Sequence, residues 1–257
     1  MRGAALEAAR ILSRRLRWAA PSALAALSLA APALAGPPYV TDDPQPTEQG
    51  HWEIYAYVGG AHAPGETAGE GGLDLNYGGA KDLQLTVVIP AAFSTAGADP
   101  IGMGVIEAAA KYKILHQDEH GWMPDVAVFP RLFIPTASSQ FAATRPNLLL
   151  PVWAEKDFGP WSVFGGGGYQ LNPGSANRNF WVSGLVVTRQ VNERLNLGAE
   201  VFHQTPETIE GKPLTGINVG VIYKVADHWA LLASGGPGIQ NRDQGQYDFY
   251  LSLQLTY

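Results

Sequence analysis

The chain has 257 residues, no cysteine, 30 glycines, 7 Trp, 10 Tyr and 9 Phe, and only 16% charged residues with a net charge of −6. Without cysteine, a disulfide framework and a thiolate metal centre are both excluded. The acid excess argues against nucleic acid, whose phosphates need a basic surface.

Residues 1–35 read as a secretory signal peptide. Arg2, Arg10, Arg14, Arg15 and Arg17 form a basic region, Trp18 to Leu34 an Ala/Leu-rich one, and Ala33-Leu34-Ala35 a small-residue cleavage site with Gly36 as the mature start. Pro21 and Pro32 interrupt the apolar run and disfavour a retained anchor. Ser13-Arg14-Arg15 is a faint twin-arginine pattern, discounted because that route carries folded proteins. Removing the leader takes five Arg and one Glu, leaving 12 basic and 22 acidic residues. Beyond it, no apolar run approaches the roughly 18 residues of a membrane helix.

Residues 36–50 hold four prolines, Pro37, Pro38, Pro44 and Pro46, and read as an extended periplasmic lead-in. From His51 onward, strand-like runs repeat: 51–60, 70–78, 82–93, 102–114, 123–135, 146–156, 160–171, 178–190, 194–204, 213–224, 228–238 and 246–257. Several alternate cleanly. Leu83, Leu85, Val87 and Ile89 enclose Gln84 and Thr86; Leu195, Leu197, Ala199 and Val201 enclose Asn196, Gly198 and Glu200; Ile217, Val219, Val221 and Tyr223 alternate with Asn218 and Gly220. The last run shows it best, with Tyr247, Phe249, Leu251, Leu253, Leu255 and Tyr257 on one face and Asp248, Tyr250, Ser252, Gln254 and Thr256 on the other.

Short polar turns, at Gly79–Asp82, His116–Gly121, Lys156–Gly159, Gln190–Arg194 and Lys224–Asp227, alternate with longer links at 61–69, 94–101, 136–145, 172–177, 205–212 and 239–245. Strands of about 10 residues with short turns on one side and long loops on the other are the pattern of a transmembrane barrel. The expected fold is therefore all-β: a signal peptide, then over 51–257 an antiparallel up-and-down outer-membrane β-barrel of about 12 strands. Trp52, Trp161, Trp229 and Tyr257 read as an aromatic girdle at the short-turn side. The final aromatic, Tyr257, also resembles the assembly signal of many bacterial outer-membrane barrels. The expected partners are thus outer-membrane lipid and the barrel-assembly machinery.

Gly102-Met103-Gly104-Val105-Ile106-Glu107-Ala108-Ala109-Ala110-Lys111-Tyr112, Ile134-Pro135-Thr136, Leu197-Gly198-Ala199-Glu200 and the stretch from Val221 to Gly238 resemble motifs of a family of outer-membrane proteins named for phenol-degradation meta-pathways and described as transporter-like. Where that family tends to have Gly-Asp this chain has Gly104-Val105, so no role of that Asp carries over. The resemblance implies a barrel of about 12 strands and passage of hydrophobic or aromatic compounds.

Parity places Glu53, Tyr55, Tyr57, Asp74, Asn76, Gln84, Glu107, Lys111, Arg131, Glu155, Glu200, Asn218, Asp248, Tyr250 and Gln254 inward. Acids outnumber bases among them, and two readings follow: a paired network filling a narrow lumen, or a channel favouring cations or neutral solutes. No nucleophile–base pair stands out for an enzyme; His203 and His228 lack a nearby serine. His116-Gln117-Asp118-Glu119-His120 has metal-ligand residue types but sits where a solvated turn is needed. Gly165–Gly168 lies within a strand and lacks the Lys-Ser/Thr of a phosphate loop. No metal or other cofactor is expected. The functional expectation is a non-enzymatic channel or transporter-like barrel for a small solute, with a plugged structural barrel or an outer-membrane hydrolase as alternatives.

Overall fold

The computed structural model describes residues 37–118, 121–141, 145–240 and 245–257. The leader, Gly36, and Glu119 and His120 of the turn cluster lie outside the described residues. The strands are β1 (Trp52–Ala63), β2 (Glu66–Ala80), β3 (Leu83–Ser94), β4 (Ile101–Met103), β5 (Ile106–Leu115), β6 (Asp125–Val128), β7 (Arg131–Ile134), β8 (Asn147–Phe158), β9 (Trp161–Leu171), β10 (Phe180–Asn192), β11 (Leu195–Gln204), β12 (Leu214–Ala226), β13 (Trp229–Pro237) and β14 (Tyr247–Thr256). Each pairs antiparallel with its neighbours, and β1 closes on β14 from Glu53↔Thr256 to His62↔Tyr247. Segments β4 and β5 occupy one position in the wall, both paired with β3; β6 and β7 share another, both paired with β8. The wall is a closed up-and-down barrel of 12 strands.

The period-two pattern decides which solvent each face meets. On β3, Leu85, Val87 and Ile89 are 41–48% exposed, while Gln84, Thr86 and Val88 between them are 4–9% exposed. The same inversion recurs around the wall: Leu197, Val201, Ile217, Val219, Leu251 and Leu253 point out, whereas Glu200, Asn218, Asp248 and Ser252 are buried. A continuous apolar exterior around a polar interior is stable only when lipid covers the outside. Trp52, Trp161, Trp229 and Tyr257 are all exposed at the short-turn end, with the Arg189 guanidinium 5.2 Å from the Trp161 ring centre.

Two-residue turns join β2 to β3, β8 to β9, β10 to β11 and β12 to β13. Asp82, in the first of these, has φ 63°, a left-handed conformation that Asp tolerates better than most side chains. At the opposite end the link expected over 61–69 is not long. Strands β1 and β2 run on to a tight Pro64-Gly65 turn, because Gly60 and Gly69 face each other so closely that a Cβ on Gly60 would lie 2.3 Å from the Ala68 carbonyl oxygen. These glycines belong to the wall. The other connections at that end, 95–100, 135–146, 172–179, 205–213 and 238–246, are longer.

The runs expected to be continuous over 102–114 and 123–135 are each interrupted, at Gly104-Val105 and at Phe129-Pro130. Proline has no N–H to give a ladder, and Pro90 lies on β3, Pro130 between β6 and β7, and Pro151 on β8. Each still accepts one bond through its carbonyl: from Gly104 N–H at 2.9 Å, from Ala110 N–H at 3.2 Å and from Phe129 N–H at 3.2 Å.

Candidate functional site

The interior of the barrel contains the segment before β1. Residues 37–47 form neither helix nor strand, as four prolines dictate, but turn and bend among the inward side chains of the wall rather than running outside it as the extended lead-in expected from sequence. Tyr39, Thr41, Asp42 and Thr47 are all buried. The Pro38 carbonyl accepts from Ser234 Oγ on β13. The backbone N–H groups of Val40 and Thr41 donate to the Glu200 carboxylate on β11 at 3.2 and 2.6 Å. Asp42 takes Lys111 of β5 at 2.9 Å, and Asp43 approaches the same ammonium at 3.6 Å. Gln45 donates to Asp125 and Glu155, each at 2.8 Å, and Thr47 N–H donates to Gln84 at 2.8 Å. This plug crosses the lumen from β13 to β5 and leaves at the short-turn end, where Gly50 N–H bonds to the Gly78 carbonyl at 2.8 Å.

The wall is cut to receive it. Built at Gly198, a Cβ would lie 2.2 Å from Tyr39 Oη; at Gly220, 2.5 Å from Tyr39 Cε1; at Gly184, 1.8 Å from Thr41 Oγ1. The Tyr39 ring also packs edge-on to Phe164, with centres 6.2 Å apart. Its burial, with the Glu200 charge beside it, pushes the phenol above its ordinary pKa, so it stays protonated.

The eight sequence-singled lumen residues fall into three groups. Lys111, Glu155 and Glu200 hold the plug. Glu107 is bound by Arg131 through two parallel hydrogen bonds, Nε to Oε1 at 2.7 Å and Nη2 to Oε2 at 2.8 Å. That fork restrains both charges and leaves Lys111 to the plug. Phe129 lies beneath both cations, 5.0 Å from Lys111 Nζ and 5.4 Å from Arg131 Cζ. The third group is Glu53, Asp74 and Asp248: Glu53 accepts from Tyr55 at 3.2 Å and lies within the field of Lys111, Asp74 accepts from Asn76 at 2.8 Å and lies within that of Arg131, and Asp248 has the Gln246 side chain beside it. A polar cavity of about 50 Å³, room for one or two waters, lies between plug and wall, lined in part by Asp42, Glu53, Asp74, Glu107, Lys111 and Arg131.

Sequence reasoning missed the plug, Glu70, Asp125 and Lys113. Lys113 Nζ lies 3.4 Å from Asp125, and Glu70 accepts from Tyr57 Oη at 3.0 Å. The signal for the plug was present in Gly184, Gly198 and Gly220, three glycines at inward parity in otherwise well-filled strands. On the exterior, His116 lies 3.1 Å from Asp82 as an ordinary turn contact. At the rim His203 Nδ1 is 2.8 Å from Thr215 Oγ1, but that hydroxyl donates to Gln240 at 2.7 Å. Histidine is therefore the donor there, the reverse of what an activated nucleophile requires.

No family model and no curated protein sequence matches the chain. Solved structures do. An outer membrane channel from Pseudomonas putida F1 superposes with a TM-score of 0.64 at 17% identity, over 83% of this chain and 97% of that one. The KdgM porin gives 0.55 at 12% identity over 80% of this chain and 99% of its own, and the NanC porin 0.54 at 8% over 79% and 98%. The chain has the fold of an outer-membrane β-barrel. The KdgM porin has also been solved in complex with disordered oligogalacturonate. At these identities the likeness is one of architecture, and what passes through an outer-membrane-type barrel is set by its own interior.

Proposed function

We propose that this barrel is a non-enzymatic channel of the outer membrane whose N-terminal segment occludes the lumen and opens it by moving. The observation that carries the reading is the seat of Tyr39 against Gly198 and Gly220: the wall gives up side-chain volume to accommodate a segment held by hydrogen bonds and one close ion pair. A permanently filled structural barrel would not need its stopper on a separate strand-free segment, since wall side chains alone fill small barrels. The fold shared with porins and channels supports the same reading.

In this reading residues 1–35 are the cleaved leader, the short turns face the periplasm, and Glu53, Asp74, Glu107, Lys111, Arg131, Glu155, Glu200 and Asp248 line the solute's route. Their acid excess favours cations and neutral solutes over anions. The resemblance to the phenol-degradation family adds small hydrophobic or aromatic compounds to the neutral class.

Planar-bilayer recording tests the proposal. The mature protein is expected to give small, cation-selective conductance, and a chain lacking residues 37–46 a larger one. Identical conductance for the two, with both correctly folded, would refute gating by the plug. Absence of conductance from both would refute the channel.

A further inference from the structure

The plug has its N-terminal end inside the barrel. Pro38 is buried, with its carbonyl accepting from Ser234 of β13, and Pro37 lines the cavity between plug and wall. Under the proposed cleavage Gly36 is the first residue of the mature chain, so its nitrogen is a free α-amino group, cationic at neutral pH. Bond lengths alone keep that nitrogen within about 5 Å of the Pro37 Cα. Leader removal therefore adds a charge to the lumen beyond those of wall and plug side chains.

The charge arrives where acids are in excess. Five carboxylates line the cavity, those of Asp42, Asp43, Glu53, Asp74 and Glu107, against two cations, Lys111 and Arg131. Lys111 is engaged by Asp42 at 2.9 Å, with Asp43 at 3.6 Å, and Arg131 by the Glu107 fork. Glu53 is met by the Tyr55 hydroxyl at 3.2 Å. Asp74 is half-buried on β2; Asn76 Nδ2 donates to its Oδ1 at 2.8 Å, and Oδ2 is left to take a further donor. Arg131 adds to the positive field at Asp74, but three negative charges remain in excess around the cavity. Withdrawn from bulk water, such an excess is costly, and one more cation relieves it.

We propose that the α-ammonium of Gly36, freed by leader cleavage, pairs with Asp74 and latches the plug in the lumen. One cation meets one carboxylate across a cavity of about 50 Å³ that Pro37 and Asp74 both line. A charge-assisted contact of this kind is stronger than the neutral hydrogen bonds that hold Pro38 and Thr47. An unprocessed chain lacks the latch, because its Gly36 nitrogen is a neutral amide carrying 35 further residues. Firm closure then belongs to processed barrels. The latch rests on the proposed cleavage before Gly36 and not on conductance through the pore.

Amine acetylation read by mass spectrometry tests it. The full mature protein in detergent is treated briefly with acetic anhydride at neutral pH and compared with the same protein unfolded in urea. The Gly36 amine is expected to react about tenfold or more slowly in the folded barrel, while the exposed Lys81 and Lys212 react alike in both. Asp74→Asn should restore that reactivity, since it removes the charge-assisted contact, and Asp227→Asn, in a distant turn, should not. Heat-modifiable migration on a gel certifies that each variant is folded. A chain extended by two alanines before Gly36 leaves the wall intact, moves the amine off Asp74 and should react as D74N does. Protection undiminished by both D74N and the extension would overturn the latch. Intact mass separates the two claims: a start other than Gly36 overturns the cleavage and the latch together, whereas a Gly36 start with equal reactivity in folded and unfolded parent removes the latch alone.

Discussion

Filling the Tyr39 seat from the wall side is the sharpest perturbation of the plug, because it leaves every charge and every plug residue in place. In the variant Gly198→Ala/Gly220→Ala, new Cβ atoms would stand 2.2 Å from Tyr39 Oη and 2.5 Å from its Cε1, distances no packed ring can accept. The ring must leave its seat. A tyrosine buries roughly 150–250 Å², and at about 25 cal/mol per Å² that is worth some 4–6 kcal/mol if the ring becomes fully exposed. If half the contact is recovered elsewhere, about 2 kcal/mol is lost, a shift of roughly 30-fold in the ratio of occluded to open barrels. The Gly198 Cβ would also stand 2.8 Å from Thr188 Cγ2, a wall side chain that must turn aside, so heat-modifiable migration on a gel first certifies that the variant barrel is folded. Single-channel recording reads the outcome as increased open probability. Adding Tyr39→Ala to the filled wall should change it little further, whereas Tyr39→Ala in the parent should open the channel by itself. Parent-like gating by the folded G198A/G220A barrel would refute the steric argument.

Further outcomes follow from the charges and the termini. Asp42→Asn leaves the buried Lys111 with Asp43 at 3.6 Å and the Gln45 carbonyl at 3.3 Å but without its close ion pair, so it should cost about 3 kcal/mol in thermal or denaturant unfolding, and adding Lys111→Met should recover much of that. Parent-like stability of D42N would mean that the pair is not what seats the plug. Glu155→Gln with Asp125→Asn should lower cation-over-anion selectivity, read as a smaller reversal potential across a salt gradient; an unchanged potential would place the ion path elsewhere. Deleting Tyr257 should reduce the amount inserted in the outer membrane more than the conductance per inserted molecule, and normal insertion would remove its role as an assembly signal. N-terminal sequencing of the mature protein should begin at Gly36.

How much of this was legible depends on where the partners of each residue lie. The strand pattern is carried by neighbours two positions apart, so letters alone place Leu251 and Leu253 on one face of β14 and Asp248 and Ser252 on the other. Ladder breaks were legible in principle, since Pro130 cannot donate, but alternation on either side of it masked the gap. The 61–69 stretch was misread because glycine serves both as a loop residue and as the only residue that fits where two strands approach as closely as Gly60 and Gly69 do. The plug has no periodicity at all. Its position is fixed by contacts across 69 residues between Asp42 and Lys111 and 160 between Val40 and Glu200, distances over which no local pattern speaks.

The plug is also tied to the wall it blocks. Thr47 is bound to Gln84 inside the lumen, and β1 begins at Trp52, so only a few residues separate the anchored end from the first strand. A displaced plug therefore stays on a leash of some ten to fifteen residues, confined to a volume close to the mouth it left. Such a tether keeps its effective concentration in the millimolar range. Reclosing is then a unimolecular event whose rate is independent of how many barrels share the membrane. Under the proposed gating, each barrel would carry its own stopper, and the length of its own chain would set the interval for which it stays open.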